Sequence, residues 1–178
     1  MPAARELLLQ AALTALSTRP WGQVRMVEVA AEAGVSRQTL YNEFGSKDGL
    51  ARALGRREAE TFLGGFERTL AAARRRGADC AECFAAGTAF ALRAARRSPL
   101  ARDALTGCPG ARLPAAPELS GLAAALPHRA AGALAPEAAG PPWVCEAAVR
   151  LAVSYVAHPA PSDEDACARV ARLVRALT

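Results

Sequence analysis

The stretch Met26–Phe44, MVEVAAEAGVSRQTLYNEF, constrains this chain more than any other part of it. Met26, Val29, Ala30 and Ala33 fall on one face of a short helix. Gly34 follows, where a helix C-terminus calls for a residue able to take positive φ. Two residues on, Ser36 is a good N-cap for a second short helix that runs to Phe44. So tight a turn forces the two helices onto each other. Val29, Ala30 and Ala33 are small enough for close approach, and Val35 plugs the corner. Leu40 and Phe44, spaced i and i+4, face inward, so Arg37, Gln38, Tyr41 and Asn42 project outward. This is the physics of a helix-turn-helix.

The outward set is rich in groups that suit a DNA groove. Arginine donates to guanine O6 and N7, and glutamine or asparagine binds adenine at two points. Tyrosine and threonine hydroxyls, like a helix N-terminus, suit phosphates. A polar face alone reads as an ordinary solvated surface. Joined to the turn chemistry, it favours recognition. The net charge of +5 and pI near 9.3 are compatible with nucleic acid without establishing it. All but one of the 22 basic residues are arginine, and the exception is Lys47.

The rest of the chain predicts an all-α fold: a three-helix head carrying the helix-turn-helix, on a larger helical body, with units at 1–46 and 47–178. A first helix covers about Ala4 to Ser17, with Leu9, Leu13 and Leu16 on a face beside Leu8 and Ala12. Ser46 caps a fourth helix reaching about Arg75, with Gly64-Gly65 as a weak spot where it can bend. Helices follow over about Asp79–Arg97 and after Ser98-Pro99. A helix across Pro117–Leu134 is interrupted at Pro127, and loops are expected over Gly107–Pro117 and Ala135–Pro142. Pro142–Ala157 and Asp163–Leu177 close the chain as two amphipathic helices, the second with Ser162 and Asp165 in capping-box spacing.

No apolar run approaches the roughly 18 residues a membrane-spanning helix needs. Gln10 and Thr14 break the leucine run that follows Arg5, so no targeting segment is read there and a cytoplasmic protein is expected. Five scattered cysteines, an odd number, argue against a disulfide framework. No triad or paired-carboxylate arrangement points to catalysis, so no catalytic residue, metal or cofactor is expected.

The segment Leu8–Leu54 resembles the N-terminal domain of TetR-family regulators. The shared features are Ala11-Ala12-Leu13, then Val29-Ala30-x-x-Ala33-Gly34-Val35-Ser36, then Thr39-Leu40-Tyr41-x-x-Phe44-x-Ser46-Lys47-x-x-Leu50. They cover about a quarter of the chain without a gap. The resemblance implies that Thr39, Tyr41 and Lys47 hold the DNA backbone while Arg37, Gln38 and Asn42 reach base edges. Lys47 near a helix N-terminus combines its charge with the local dipole, and both favour phosphate. Two positions depart from the family pattern. Arg25 stands where a Thr is common; it cannot cap as Thr does, but it can reach a phosphate. Pro20-Trp21 replaces a Gly-aromatic turn, and Trp21 is expected to be a buried brace.

The family also implies a homodimer through the last two helices, binding a double-stranded, near-palindromic operator, and a small-molecule effector inside the preceding helices. The short connection His158–Pro161 between the final helices independently suits an antiparallel hairpin. Phe62, Phe66, Phe84 and Phe90 are candidates to line an effector cavity, with core filling as the plainer role. Few charges occupy apolar helix positions, which leans toward a hydrophobic or amphipathic effector. The expected function is therefore a repressor released from its operator by such an effector. The alternative is a thiol- or metal-responsive regulator switching through Cys80/Cys83, although two cysteines at helical spacing more often pack as small apolar residues.

Overall fold

The computed structural model describes residues 2–107, 113, 119, 121–134 and 141–178. Among the described residues every regular element is helical. Helix α1 (Pro2–Thr18) buries Leu8, Leu9, Ala11, Ala12 and Leu16, while Leu13 is only half-buried. A single 3-10 turn at Trp21–Gln23 follows Pro20, and Trp21 is 3% exposed, the expected brace.

Helices α2 (Met26–Glu32) and α3 (Arg37–Phe44) form the helix-turn-helix. Gly34 takes φ +67, and the Val35 N–H closes the turn on the Ala30 carbonyl at 3.0 Å. Ser36 caps α3, its Oγ accepting the Thr39 N–H at 3.0 Å. Arg25 precedes α2 without a side-chain cap, as its chemistry dictates.

Helix α4 (Lys47–Arg75) starts almost without a break after α3, which ends at Gly45 with φ +70. Ser46 Oγ accepts the Gly49 N–H at 3.0 Å. A Cβ on Gly49 would stand 1.9 Å from the Phe44 carbonyl oxygen, so only glycine fits this junction. At 29 residues α4 is about 44 Å long, and it carries the head core (Leu50, Ala51, Leu54) into the body core (Phe66, Leu70).

Helix α4 runs as one helix through Gly64-Gly65. Gly65 serves close approach. The Phe90 ring lies on Gly65, where a Cβ would come within 2.5 Å of it. Helix α5 (Cys80–Arg97) is central in the body, packing closely on α4, on the helix after Ser98 and on the last two helices. Its N-terminus holds a full capping box, Asp79 with Glu82, at 2.7 and 2.9 Å.

Helix α6 (Pro99–Thr106) enters through the Ser98 cap, whose Oγ accepts the Ala101 N–H at 3.2 Å. Helix α7 (Leu122–Ala133) corrects an expectation, because Pro127 lies inside it without ending it. Leu122, Leu126 and Ala130, all within 1% of full burial, hold the segment in place despite the hydrogen bond Pro127 cannot make. The expected loops over 107–117 and 135–142, the start of the Pro117–Leu134 segment and Cys108 lie largely outside the described residues.

Helices α8 (Pro142–Ala157) and α9 (Asp163–Leu177) match the expected bounds. At α9 only half the capping box forms: Ser162 accepts the Asp165 N–H, while the Asp165 carboxylate pairs with Arg169 at 2.8 Å. One contiguous apolar cluster joins head and body.

Candidate DNA-binding surface and effector region

On α3 the burial of Leu40 turns the opposite face to solvent. Arg37, Gln38, Tyr41 and Asn42 are all exposed, and Tyr41 keeps 40% of its surface free. Gln38 Nε2 donates to Asn42 Oδ1 at 2.8 Å, an i, i+4 pair that links two of the expected base readers. The Gln38 amide oxygen and the Asn42 amide nitrogen remain for a base edge. Thr39 is half-buried, its hydroxyl 2.9 Å from that of Ser36. It is therefore tied into the cap rather than standing free on the face.

Lys47 is the first residue of α4, and its ammonium is held in place. Nζ donates to the Gly22 carbonyl at 3.2 Å and stands 5.5 Å from the centroid of the Trp21 ring. One of its three donors is thus used internally, which leaves two. Arg25, exposed at the start of α2, belongs to the chain segment just after that same turn. Lys47 and Arg37 are each the first residue of a helix, where the dipole disfavours a cation and favours an anion. A phosphate at either place meets both a positive side chain and the free N–H groups.

Two supports of this face were invisible in the sequence. Arg5 bridges α1 to the end of α3, 3.6 Å from the Glu43 carboxylate and 4.7 Å from the Phe44 ring centroid. Arg57 of α4 reaches Glu6 at 2.9 Å and Gln10 at 3.1 Å on α1. Both join residues dozens of positions apart, so no local spacing announces them.

Residues 8–54 match the family described as bacterial regulatory proteins, tetR family. The HTH-type transcriptional regulator AlkX of Mycobacterium tuberculosis is 34% identical over 184 aligned residues, covering 96% of this chain and 82% of that protein. The chain belongs to the TetR family. It is a transcriptional regulator of that family with a helix-turn-helix for DNA. Among solved structures, the TetR-family repressor AlkX from Dietzia sp. strain DQ12-45-1b, implicated in biodegradation of n-alkanes, shares the fold with TM-score 0.62. It is 24% identical, with 97% of this chain and 98% of that one covered. FadR from Bacillus subtilis, solved with stearoyl-CoA, shares it with TM-score 0.56 at 14% identity, covering 97% and 96%.

In the TetR-family body, the four candidate effector residues are well packed. Phe62 and Phe90 meet each other, ring centroids 5.4 Å apart, over Gly65. Phe66 and Phe84 line, with buried Thr88, a void of ≈ 10 Å³. That is about the room one water needs. The wider hollows lie elsewhere: ≈ 500 Å³ beside the Arg96–Asp163 ion pair, and ≈ 970 Å³ between α6, α7 and α8. None of the four phenylalanines lines either one.

The alternative switch at Cys80/Cys83 finds no support. Cys83 is buried, its Sγ 3.8 Å from the Ala78 carbonyl, and Cys80 is half-buried. Burial, with Cys145 and Cys83 nearby, pushes the Cys80 thiol up to about 11; burial also raises Cys83, Cys145 and Cys167. Thiols held protonated are poor nucleophiles and poor metal ligands. Among the described residues no three His, Cys, Asp or Glu side chains come together in a way that could hold a metal ion, and no helix is long and apolar enough to cross a membrane.

Proposed function

We propose that this regulator is a cytoplasmic, dimeric, non-enzymatic repressor that leaves a near-palindromic operator when a small apolar or amphipathic effector enters its body. The observation that carries the reading is the α3 face, where Arg37, Gln38, Tyr41 and Asn42 are exposed together. Beside it Lys47 is fastened to the Trp21–Gln23 turn. In this reading Arg37, Gln38 and Asn42 read bases. Arg25, Thr39, Tyr41 and Lys47 hold phosphates.

Residues 1–46 act as the DNA-binding unit and 47–178 as the effector and dimer unit, with α4 as the shared beam. The outward faces of α8 and α9 carry small residues, Ala147, Ala168 and Ala176, beside half-buried Leu151 and Leu173. Such faces suit close packing against a second copy in a four-helix arrangement. A two-fold dimer would set its recognition helices about 34–36 Å apart, one DNA turn. The stearoyl-CoA bound by FadR and the n-alkane context of the Dietzia AlkX support an effector with a long aliphatic chain. An effector seated among Phe62, Phe66, Phe84 and Phe90 has to displace core side chains to enter.

A mobility-shift assay with DNA flanking the regulator's own gene tests this. Wild type binds. Arg37→Ala, Tyr41→Ala and Lys47→Ala each weaken binding, and Lys47→Ala lowers the salt slope by about one unit for all sequences alike. Binding unaffected by all three substitutions would sink the assignment.

A further inference from the structure

The ≈ 970 Å³ hollow between α6, α7 and α8 is near the upper end of ligand pockets, which run to roughly 1,000 Å³. Its room comes from small residues: Ala124 and Ala131 of α7 face Val149, Val153 and Ala157 of α8. Trp143 stands at its edge with 52% of its surface exposed, a large apolar group left uncovered beside an apolar wall. Val149 and Val153 also wall the ≈ 10 Å³ void beside Phe66 and Phe84. The floor of the open hollow is thus one side of the buried void.

The polar groups narrow what fits. Arg150 and Glu146 both line the hollow and hold each other at 2.7 Å, so they present little net charge. A ligand of either charge meets the opposite and the like charge of the pair side by side, so neither sign gains much. Thr106 and Ser154 donate their hydroxyl protons to the Arg102 and Leu151 carbonyls at 3.0 and 2.7 Å. What they retain is lone pairs, which accept, and exposed His128, also on the wall, adds a ring nitrogen that accepts beside one that donates.

We propose that this hollow is the effector seat, and that its ligand is an uncharged aliphatic amphipath carrying a hydrogen-bond donor, of the long-chain primary alcohol class. This rests on the reading of the body as an effector domain. The chain lies on the alanine and valine walls and its hydroxyl donates to Thr106 or Ser154. Pressure on Val149 and Val153 passes to Phe66 of α4, the helix that begins at Lys47.

The test follows Trp143 emission while 1-decanol, decanoate or decylamine is added, with DNA release measured in parallel. The alcohol shifts emission to the blue and binds at least about tenfold tighter than either ion. Trp143→Phe removes the signal. Ala124→Phe, at an exposed wall position, fills the hollow without touching the core and weakens alcohol binding about tenfold or more, with unchanged far-UV circular dichroism. Ala157→Phe, also exposed, gives the same result from the opposite wall. Equal binding of decanoate or decylamine, or unchanged binding in both filled variants, overturns the proposal. So does a blue shift that tracks protein concentration without ligand, which would assign this face to a second copy. Alcohol binding without DNA release defeats the effector reading while leaving the pocket. Release undiminished in the filled variants defeats the pocket while leaving the reading.

Discussion

The head and the body use the same kind of helix but are stiffened differently. In the head, polar pins do much of the positioning: Ser36 and Ser46 cap consecutive helices, Lys47 holds the Gly22 carbonyl, Arg5 reaches Glu43 and Arg57 reaches Glu6. The body has pins too, Arg96–Asp163 and Arg129–Glu67 among them, but its tightest fits are of volume. Phe90 lies on Gly65, and Phe66 and Leu70 close over Gly87, where added methyls would come within 2.5 and 2.8 Å of the rings. Pins fix directions, which a surface that reads DNA needs. Packing by volume leaves residual space wherever side chains are small, and a ligand can use that space.

The sharpest way to break this contrast is at the junction. Gly49→Ala sets a methyl 1.9 Å from the Phe44 carbonyl oxygen, backbone that has nowhere to go. We expect a loss of about 3 kcal/mol in urea unfolding. A loss under about 0.5 kcal/mol, the scale of ordinary surface changes, would show that α3 and α4 are not rigidly set. Next come the adjacent glycines of α4. Gly65→Ala meets the Phe90 ring and costs about 2 kcal/mol. Gly64→Ala meets only the flexible end of Arg68 at 3.1 Å, so it stabilises by up to about 1 kcal/mol through helix propensity. Equal effects at the two sites would remove the volume argument for the body.

Asp79→Ala takes away the one full capping box among the described residues and costs about 1 kcal/mol in the same assay. The smallest effect concerns Glu58, half-buried in α4 and 3.4 Å from the Ser98 hydroxyl that caps α6. Burial holds its carboxyl above the ordinary 4.5, against the lowering influence of Arg57 and Ser98. The folded state therefore binds the proton more tightly than the unfolded one. Its contribution is present below 4.5 and is lost as pH rises through the raised value. Glu58→Gln should flatten this decline in Tm between pH 4.5 and neutrality, and an unchanged slope would exclude Glu58 as its source.

The head was legible because its determinants are local. A glycine before a cap, a serine three residues ahead of the N–H it accepts, and a cation at a helix start are all visible in short windows. The long-range pins Arg5–Glu43 and Lys47–Gly22 depend on chain closure over 38 and 25 residues, and no window contains them. In the body, helix bounds came through while the meaning of side chains did not. A phenylalanine that lines a cavity and one that fills it carry the same sequence pattern, and only the assembled volume separates them. The α6–α7–α8 hollow owes its size to alanines, whose smallness carries no signal of its own. Pro127 misled for a related reason: burial of Leu122 and Leu126 outweighs one missing hydrogen bond.

The central claim is that the α3 face selects DNA sequence. Selection from random duplex DNA with the purified wild-type chain, repeated with Gln38→Ala, tests it most directly. Wild type should enrich a near-palindrome with half-site centres about one helical turn apart, and Gln38→Ala should relax preference at particular bases within each half-site. No enriched sequence with wild type, or an identical motif with Gln38→Ala, would contradict it.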